Sequence, residues 1–201
     1  MRIIGITGGF KTGKTTALNI LKNLGAEVID ADKVAHKCLA YQEVIGAIKN
    51  HFRSVSEVVE NNIVNRDKLA QIVFSDNDEL QWLNNLIHPL VAIDIKNLLK
   101  GIKERNSEAL VVIEIPLLYE ADMAYLVDEV IVLSTKREIQ IERALKDGFS
   151  RDDALKRIES QFDLLKKEEC GDFVINNNSS LENTKKQIID IFKRISEENN
   201  M

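Results

Sequence analysis

The residues with the clearest chemistry form a glycine-rich turn near the amino terminus, Gly8-Gly9-Phe10-Lys11-Thr12-Gly13-Lys14-Thr15. The turn matches G-x-x-x-x-G-K-[ST], the pattern of a loop that binds phosphate groups with its backbone amides. Gly8 and Gly13 let the backbone bend so that its amides converge, and the following helix adds its positive end. The pattern predicts that Lys14 contacts nucleotide phosphates and that the Thr15 hydroxyl ligates Mg²⁺.

Carboxylates end two of the apolar runs. Asp30 and Asp32 stand at the end of the weak run Glu27–Asp30, and Glu114 closes a strongly apolar run. Ligands of open α/β sheets bind at the carboxyl ends of strands, so these side chains are expected beside the phosphate loop. If the segment stays extended, Asp30 and Asp32 point the same way. A carboxylate there can accept a hydroxyl proton or hold Mg²⁺ through water, while helix capping is a serious competing explanation for either aspartate alone.

Basic residues cluster in two consecutive helical segments that join around Asp147-Gly148. An arginine-bearing hairpin above a phosphate site can close as a lid and neutralise the charge that develops in phosphoryl transfer. Solvated helix faces explain most of these residues, and we single out Arg143 and Arg157. Lys11 is an extra cation inside the loop, for which a phosphate contact and a solvated side chain are equally good explanations.

Histidines show no metal-ligand spacing along the chain. Pro89 disfavours a helical conformation for His88, which is therefore predicted to lie in an extended loop between two helices. The pattern alone favours a structural role for His88.

Short runs rich in Val and Ile predict the strands that position these residues. The predicted strands are Arg2–Thr7, Glu27–Asp30, Leu110–Ile115, Glu129–Leu133 and Phe173–Asn176. Apolar strands that alternate with helices predict a parallel sheet with right-handed crossovers. The stretch Lys33–Arg105 has helical patterns and no convincing strand, so we interpret it as a helical insertion that binds substrate.

Capping residues predict where several helices begin. Thr135 is predicted to cap the helix that follows it, and Ser150 with Asp153 forms a capping box before the next one. A second box, formed by Ser179 and Glu182, is predicted ahead of the last helix.

Composition bounds the class of protein. The 201 residues include 27 Lys and Arg against 32 Asp and Glu, a net charge of −5, which argues against nucleic-acid binding through bulk positive charge. The length predicts one domain with room for an inserted lobe. Cys38 and Cys170 are expected to be single reduced thiols. Neither a signal peptide nor an apolar run of about 20 residues is visible, so we expect a cytoplasmic protein that does not cross a membrane.

Several motifs, taken in their order, resemble the dephospho-coenzyme A kinase family over essentially the whole chain. They are Thr7–Lys14, Leu24–Asp32, His88-Pro89, Ile115–Glu120, Gln140-x-x-Arg143, Arg157-Ile158-x-x-Gln161 and Asp172–Asn177. Many kinases share the phosphate loop, whereas the other motifs in this order are far more specific.

The resemblance implies an α/β fold of three layers, the P-loop kinase fold, with a parallel five-stranded sheet, a helical substrate-binding insertion and a helical lid. The implied parts of this single globular chain are a nucleotide-binding core (1–32, 107–136 and 170–201), a helical coenzyme A-binding lobe (33–106) and a lid region (137–169). The implied reaction transfers the γ-phosphoryl group of ATP to the ribose 3′-hydroxyl of dephospho-coenzyme A, the final step of coenzyme A synthesis. ATP and Mg²⁺ are the implied cofactors. We expect a monomer or weak homo-oligomer without nucleic-acid or membrane partners.

Carried over position by position, the resemblance implies roles for individual residues. Asp32 is the implied general base, and Lys14 and Arg143 complete the catalytic set. The implied ATP-binding residues are Gly9, Lys11, Thr12, Gly13, Lys14, Thr15, Thr16, Arg143 and Asn177. The implied acceptor-binding residues are Asp32, His88, Leu117, Tyr119 and Arg157. Thr15 and Glu114 are the implied metal ligands.

The chain departs from the usual family pattern at several positions. Lys11-Thr12 stands where Gly-Ser is usual, Glu114 where Asp is frequent, Ala92 where an arginine commonly follows the His-Pro motif, and Lys146 where the lid usually has an arginine. Two alternatives follow from these departures: a P-loop kinase with another nucleoside, nucleotide or small-alcohol acceptor, and an ATP-binding homologue with weakened or lost catalysis.

Overall fold

The computed structural model describes residues 1–55 and 57–199. The chain divides into two compact units, Met1–Asp30 with Leu98–Met201 and, between them, Ala31–Asn97. Within the described residues, none of the helices combines the length and the apolar character that crossing a bilayer requires. The assignment of 33–106 to substrate binding and of 137–169 to a lid stays a prediction.

The elements follow one another along the chain with short connections. The strands are β1 (Arg2–Gly8), β2 (Glu27–Asp30), β3 (Val59–Glu60), β4 (Ile63–Val64), β5 (Leu110–Glu114), β6 (Glu129–Ser134) and β7 (Phe173–Asn176). The helices are α1 (Lys14–Asn23), α2 (Ala31–Cys38), α3 (Gln42–His51), α4 (Arg66–Val73), α5 (Asn77–Arg105), α6 (Arg137–Lys146), α7 (Arg151–Glu159), α8 (Leu164–Cys170) and α9 (Leu181–Asn199), with a 3₁₀ turn at Ala124–Leu126.

A five-stranded sheet of order β2-β5-β1-β6-β7 forms the centre of the first unit. Each of its neighbouring strand pairs is parallel, as the alternation of strands and helices predicts. The five predicted strands are all confirmed, with ends that differ by no more than one residue. The prediction of an α/β fold with a parallel five-stranded sheet is therefore confirmed.

Helices cover both faces of this sheet. Ile4 and Ile6 of β1 lie in the same buried cluster as Leu21 of α1 and Ile188 of α9. Because side chains alternate along a strand, Gly5 and Thr7 face the other side. On that side α8 packs against β1 and β6, and the parallel strands are buried on both faces, which explains their continuous apolar sequences.

The predicted helix starts are partly right. Ser150 caps α7 as predicted, because its Oγ accepts a hydrogen bond from the Asp153 amide at 3.1 Å. Thr135 does not cap α6, whose N-cap Lys136 has no side-chain capping bond. The predicted box at Ser179 is also wrong by one position, since Ser180 Oγ accepts from the amide of Asn183.

The second unit consists of α2, α3, α4, the first part of α5 and a small antiparallel hairpin of β3 and β4. The hairpin contradicts the prediction that Lys33–Arg105 contains no strand. Its turn residues Asn61 and Asn62 have φ of 50° and 60°. Asparagine tolerates this left-handed conformation, which two-residue hairpin turns require, so Asn-Asn was the missed signal.

The prediction for His88 is wrong. Pro89 lies inside α5, a continuous helix of 29 residues, and His88 is helical with it. A proline inside a helix removes one backbone hydrogen bond and crowds the preceding turn. A long helix can absorb this local cost because its many other hydrogen bonds and its packing remain, so proline marks a helix end less reliably here than the rule suggests.

The two cysteines are free thiols, Cys38 buried and Cys170 exposed. In the second unit the Tyr41 hydroxyl donates to the Asp94 carboxylate, and Cys38 Sγ lies 3.8 Å from the same carboxylate. Burial and the neighbouring carboxylate raise the pKa of Cys38 to about 11. Cys38 is therefore protonated at neutral pH.

Candidate active site

The loop between β1 and α1 has a backbone that only glycine permits at two positions. Gly8 and Gly13 have φ of 147° and 99°. A Cβ on Gly8 would lie 2.5 Å from the Leu133 carbonyl oxygen, and one on Gly13 would lie 2.2 Å from Asn177 Nδ2. Both conformation and space thus exclude side chains at the two glycines of the motif.

Buried polar side chains hold the inner side of this loop. The Thr12 carbonyl accepts hydrogen bonds from Asn177 Nδ2 at 2.7 Å and from Thr135 Oγ1 at 3.3 Å. The amide of Asn177 is oriented in turn by Thr184, whose Oγ1 donates to Asn177 Oδ1 at 2.8 Å. All four of these residues are buried, and buried hydrogen bonds of this kind fix one conformation.

Arg143, in the last turn of α6, joins the loop to the end of β7. Its Nη1 donates to the Lys11 carbonyl at 3.2 Å and its Nη2 donates to the Asn177 carbonyl at 2.9 Å. The guanidinium therefore sets the position of the loop backbone through two of its donors.

Lys14 begins α1, and its ammonium group stays within the loop. Nζ donates to the carbonyls of Gly9 at 2.9 Å and Gly8 at 3.3 Å. Thr15 and Thr16, in the first turn of the same helix, are exposed. The helix amino terminus, the ammonium and the hydroxyls are thus gathered at one point, an arrangement that suits a polyphosphate.

The outer tip of the loop contacts the turn between α6 and α7. Lys11 pairs with Asp147, and the guanidinium of Arg157 lies over the Phe10 ring at 5.7 Å from its centroid. The structure therefore brings Lys11, Arg143, Arg157 and Asn177 to one loop.

Two carboxylates stand side by side at the carboxyl edge of the sheet. Glu114, the last residue of β5, pairs in register with Asp30 of β2 and with Ile6 of β1. The expectation that Asp30 and Asp32 share an extended segment is wrong, because α2 begins at Ala31 and Asp32 lies exposed in its first turn. Asp32 and Asp30 belong to different compact units.

The donor set in the first unit fits a hard divalent cation. Thr15 offers a hydroxyl, and Glu114 and Asp30 offer carboxylates. Mg²⁺ characteristically takes one or two protein oxygens and completes its shell with water and phosphate oxygens. Among the described residues no group of three acidic, histidine or cysteine side chains could hold a metal. A cation here would therefore need further oxygen ligands from substrate and water.

The segment after β5 contains a buried lysine contact that the sequence analysis missed. Lys167 of α8 is completely buried, and its Nζ lies 2.9 Å from the Pro116 carbonyl and 2.8 Å from Glu120 Oε1. The Pro116 carbonyl also accepts from Thr7 Oγ1 at 3.2 Å, next to the phosphate loop. Burial lowers the pKa of Lys167, and the hydrogen bond to Glu120 opposes that shift.

The remaining predicted acceptor-binding residues differ in their burial and in the unit to which they belong. Tyr119 is half-buried, and burial raises the pKa of its hydroxyl to about 12. Leu117 is also half-buried, whereas the neighbouring Leu118 is fully buried in the core. His88 belongs to the second unit, where burial lowers the pKa of its imidazole and keeps it neutral at pH 7.

Sequence reasoning assigns no site role to the buried polar residues that support the loop, although it names Thr135 as a helix cap and Gln140 within a motif. Thr135, Thr184, Gln140 and Lys167 are all buried polar side chains. Gln140 Nε2 donates to the Thr135 carbonyl at 2.9 Å, so it belongs to the same support. The partners of Thr135 and Lys167 lie far along the chain, so no local spacing marks these two residues. Gln140 and Thr184 bond to nearby residues, and a polar residue at an apolar helix position is the signal that they offer.

Known proteins resemble this chain over nearly its full length. The family model for dephospho-CoA kinase (CoaE) matches residues 2–183. A dephospho-CoA kinase of Carboxydothermus hydrogenoformans is 40% identical over 200 residues, which cover 96% of this chain and 93% of that protein. One of Helicobacter pylori is 38% identical over 190 residues, covering 92% and 93% of the two chains. The solved structure of a dephospho-CoA kinase from Campylobacter jejuni has a TM-score of 0.75 at 27% identity and covers 99% of this chain and 100% of that one.

Proposed function

The chain belongs to the dephospho-CoA kinase family of ATP-dependent kinases, and from this premise we propose that it phosphorylates the ribose 3′-hydroxyl of dephospho-coenzyme A with ATP. The observation that carries the proposal is the phosphate loop, with Lys14 inside it and Arg143 and Asn177 bound to its carbonyls. The product, coenzyme A, makes this the final step of its synthesis.

ATP would be held mainly by the loop. The backbone amides of 9–13 and of Thr16 would bind phosphate oxygens, and Lys14 would exchange its loop carbonyls for the β- and γ-phosphates. Arg143 and Asn177 would act chiefly by fixing the loop, since both already bind its backbone. Such fixed donors stabilise charge without reorganising during the reaction.

Mg²⁺ is the cation that we propose for the oxygen donors Thr15 and Glu114. When bound, it would neutralise charge on the β- and γ-phosphates. Glu114 is one methylene longer than the aspartate that is frequent in the family, so its carboxylate would reach further from the end of β5 toward the cation.

Asp32 would act as the general base. Its carboxylate would take the proton of the 3′-hydroxyl while the hydroxyl oxygen bonds to the γ-phosphorus and the bond to the β-phosphate oxygen breaks, which releases ADP. His88, Leu117 and Tyr119 are the residues that we propose for acceptor binding, together with Arg157.

The alternatives are not favoured by these resemblances. A different acceptor and an ATP-binding homologue without catalysis were motivated by substitutions such as Ala92, yet the family match extends through residues 2–183. We further propose a cytoplasmic monomer or weak homo-oligomer that acts on small molecules and binds no nucleic acid.

A direct experiment incubates the protein with dephospho-coenzyme A, ATP and Mg²⁺ and determines the product by mass spectrometry. One added phosphoryl group at the 3′ position, absent when ATP is withheld, is expected. Other nucleosides, nucleotides and small alcohols serve as competing acceptors in the same assay. Turnover of another acceptor at an equal or higher rate would contradict the proposal.

Two substitutions test the assigned roles. Lys14→Ala should weaken ATP use, and Asp32→Asn should lower kcat by about 10² to 10⁴-fold because the amide cannot accept the proton. Asp67→Asn is the matched control, since Asp67 is also an acidic residue in the first turn of an eight-residue helix of the second unit. Near-wild-type turnover of Asp32→Asn at neutral pH would show that Asp32 is not the base.

A further inference from the structure

Five residues form what we call the tip cluster, where the phosphate loop meets the turn between α6 and α7. They are Phe10 and Lys11 of the loop and Asp147, Phe149 and Arg157 of the two-helix segment. One of these residues, Lys11, has an uncommon backbone conformation.

Lys11 has a left-handed backbone conformation, with φ of 57°. This conformation is uncommon for a residue with a side chain and persists where the surroundings hold it. Here the Lys11 carbonyl accepts from Arg143, and the side chain has partners of its own.

The Lys11 ammonium group contacts one carboxylate and two aromatic rings. Nζ lies 2.5 Å from Asp147 Oδ2. It also lies 5.6 Å from the Phe10 ring centroid and 5.3 Å from that of Phe149, within the range of cation–π attraction. The side chain therefore has three partners, and two of them belong to the turn.

The two phenylalanines connect the loop to the α6–α7 segment directly. Their rings meet edge to face, with centroids 5.4 Å apart and planes at 87°. The guanidinium of Arg157 lies 5.7 Å from the Phe10 centroid and 5.1 Å from that of Phe149. Edge-to-face rings flanked by two cations form a specific contact between these segments.

The turn that supplies Asp147 and Phe149 is itself well defined. The Asp147 amide donates to the Arg143 carbonyl at 3.2 Å, and the Phe149 amide donates to the Ala144 carbonyl at 3.1 Å. Gly148 between them has φ of 86°, which lets the chain reverse. Both side chains are thus presented to the loop by the end of α6.

We propose that Asp147 and Phe149 are positioning residues for ATP, which hold the loop tip in its phosphate-binding shape through Lys11 and Phe10. This proposal rests on the proposed function, and it assigns the Lys11 side chain to Asp147 rather than to a phosphate. The two assignments make opposite predictions. If Asp147 supports the loop, its removal weakens ATP binding; if Lys11 serves phosphate and Asp147 merely competes for it, removal strengthens binding.

The test measures ATP dissociation constants by calorimetry for wild type, Asp147→Asn, Lys11→Gly and the double variant. Asp147→Asn should weaken ATP binding about threefold, as loss of a partly exposed ion pair allows, and raise KM for ATP with kcat nearly unchanged. In the Lys11→Gly background the second substitution should have no further effect. Glu142→Gln is the matched control, because it removes an exposed ion pair with Lys146 on the same helix without touching the loop.

Hydrogen exchange in the absence of nucleotide gives a readout that does not depend on ATP. Asp147→Asn and Phe149→Leu should each speed exchange of the loop amides 10–13, whereas Glu142→Gln should not. Unchanged loop exchange, or tighter ATP binding by Asp147→Asn, would overturn the proposal. If the wild type fails to bind ATP while the loop exchange still responds, the proposed function fails and the structural role of the tip cluster stands.

Discussion

Two lysine–carboxylate pairs tie the segment from α6 to the end of α8 to the rest of the first unit, and they differ in their surroundings. The tip pair, Lys11–Asp147, is partly exposed, with side-chain exposures of 27% and 56%. The rear pair, Lys167–Glu120, has exposures of 0% and 15%. Glu120 also accepts a hydrogen bond from the Phe162 amide at 2.9 Å, so the rear pair fixes the chain between α7 and α8.

Ion pairs of similar geometry thus contribute differently to the free energy of unfolding when their burial differs. An exposed pair contributes little because water and salt screen it. A buried pair costs desolvation when it forms, and breaking it leaves an unpaired buried charge. We therefore expect the rear pair to stay intact as long as the protein is folded. The tip pair should break at a small cost in free energy.

The largest expected effect comes from Lys167→Met. Loss of the ammonium leaves the Glu120 carboxylate buried without its cation, so the free energy of unfolding should fall by about 3–5 kcal/mol in urea denaturation. Lys166→Met, at the exposed neighbouring position, is the control and should change stability by less than about 0.5 kcal/mol. Lys167→Met/Glu120→Gln should recover much of the loss, since glutamine can still accept from the Phe162 amide. If Lys167→Met and Lys166→Met lowered the free energy of unfolding equally, the buried ion pair would have no special role in stability.

A smaller effect is expected at alkaline pH. Burial lowers the pKa of Lys167 below 10.5, so between the lowered value and 10.5 the unfolded chain binds more protons than the folded one. The free energy of unfolding of the wild type, relative to Lys167→Met/Glu120→Gln, should therefore rise with pH in that window, with a slope of at most about 1.4 kcal/mol per pH unit. Urea denaturation of both proteins between neutral pH and 10.5 measures this slope, and a flat or falling difference would contradict it.

The smallest effect concerns the tip pair and salt. Asp147→Asn should lower the free energy of unfolding by less than about 1 kcal/mol at low ionic strength, and the difference should disappear in 1 M salt because of screening. The loss caused by Lys167→Met should persist at the same salt concentration. If the loss of unfolding free energy in Asp147→Asn persisted in 1 M salt, the tip pair and the rear pair would not differ in their screening by solvent.

The sheet was predictable because its signals are local. Each strand is a short apolar run, and the strand-loop-helix order around Gly8–Lys14 specifies the phosphate site. Predictions failed where the length of a helix or a tertiary hydrogen bond outweighed a local sequence rule. Pro89 is tolerated inside a long helix, and Thr135 bonds to the Thr12 carbonyl instead of capping α6.

The candidate site was predictable where the chemistry requires a motif. Spacing and resemblance point to Lys14, Arg143 and Asn177, and the structure brings these residues to one loop. Lys167 leaves no periodic signal in a single sequence because its partners lie in a distant segment, and Thr184 bonds to Asn177 outside any recognisable motif. Their burial makes them visible only in three dimensions.

The contrast between the two cysteines has a practical consequence. Cys38 is buried with a raised pKa, whereas Cys170 is exposed at the end of α8, shortly after Lys167. Because thiolates are the nucleophiles toward maleimides, a fluorescent dye of this class would attach to Cys170 and spare Cys38. The native chain thus offers a single labelling point on α8, from which an optical signal could report on this helix without any engineered residue.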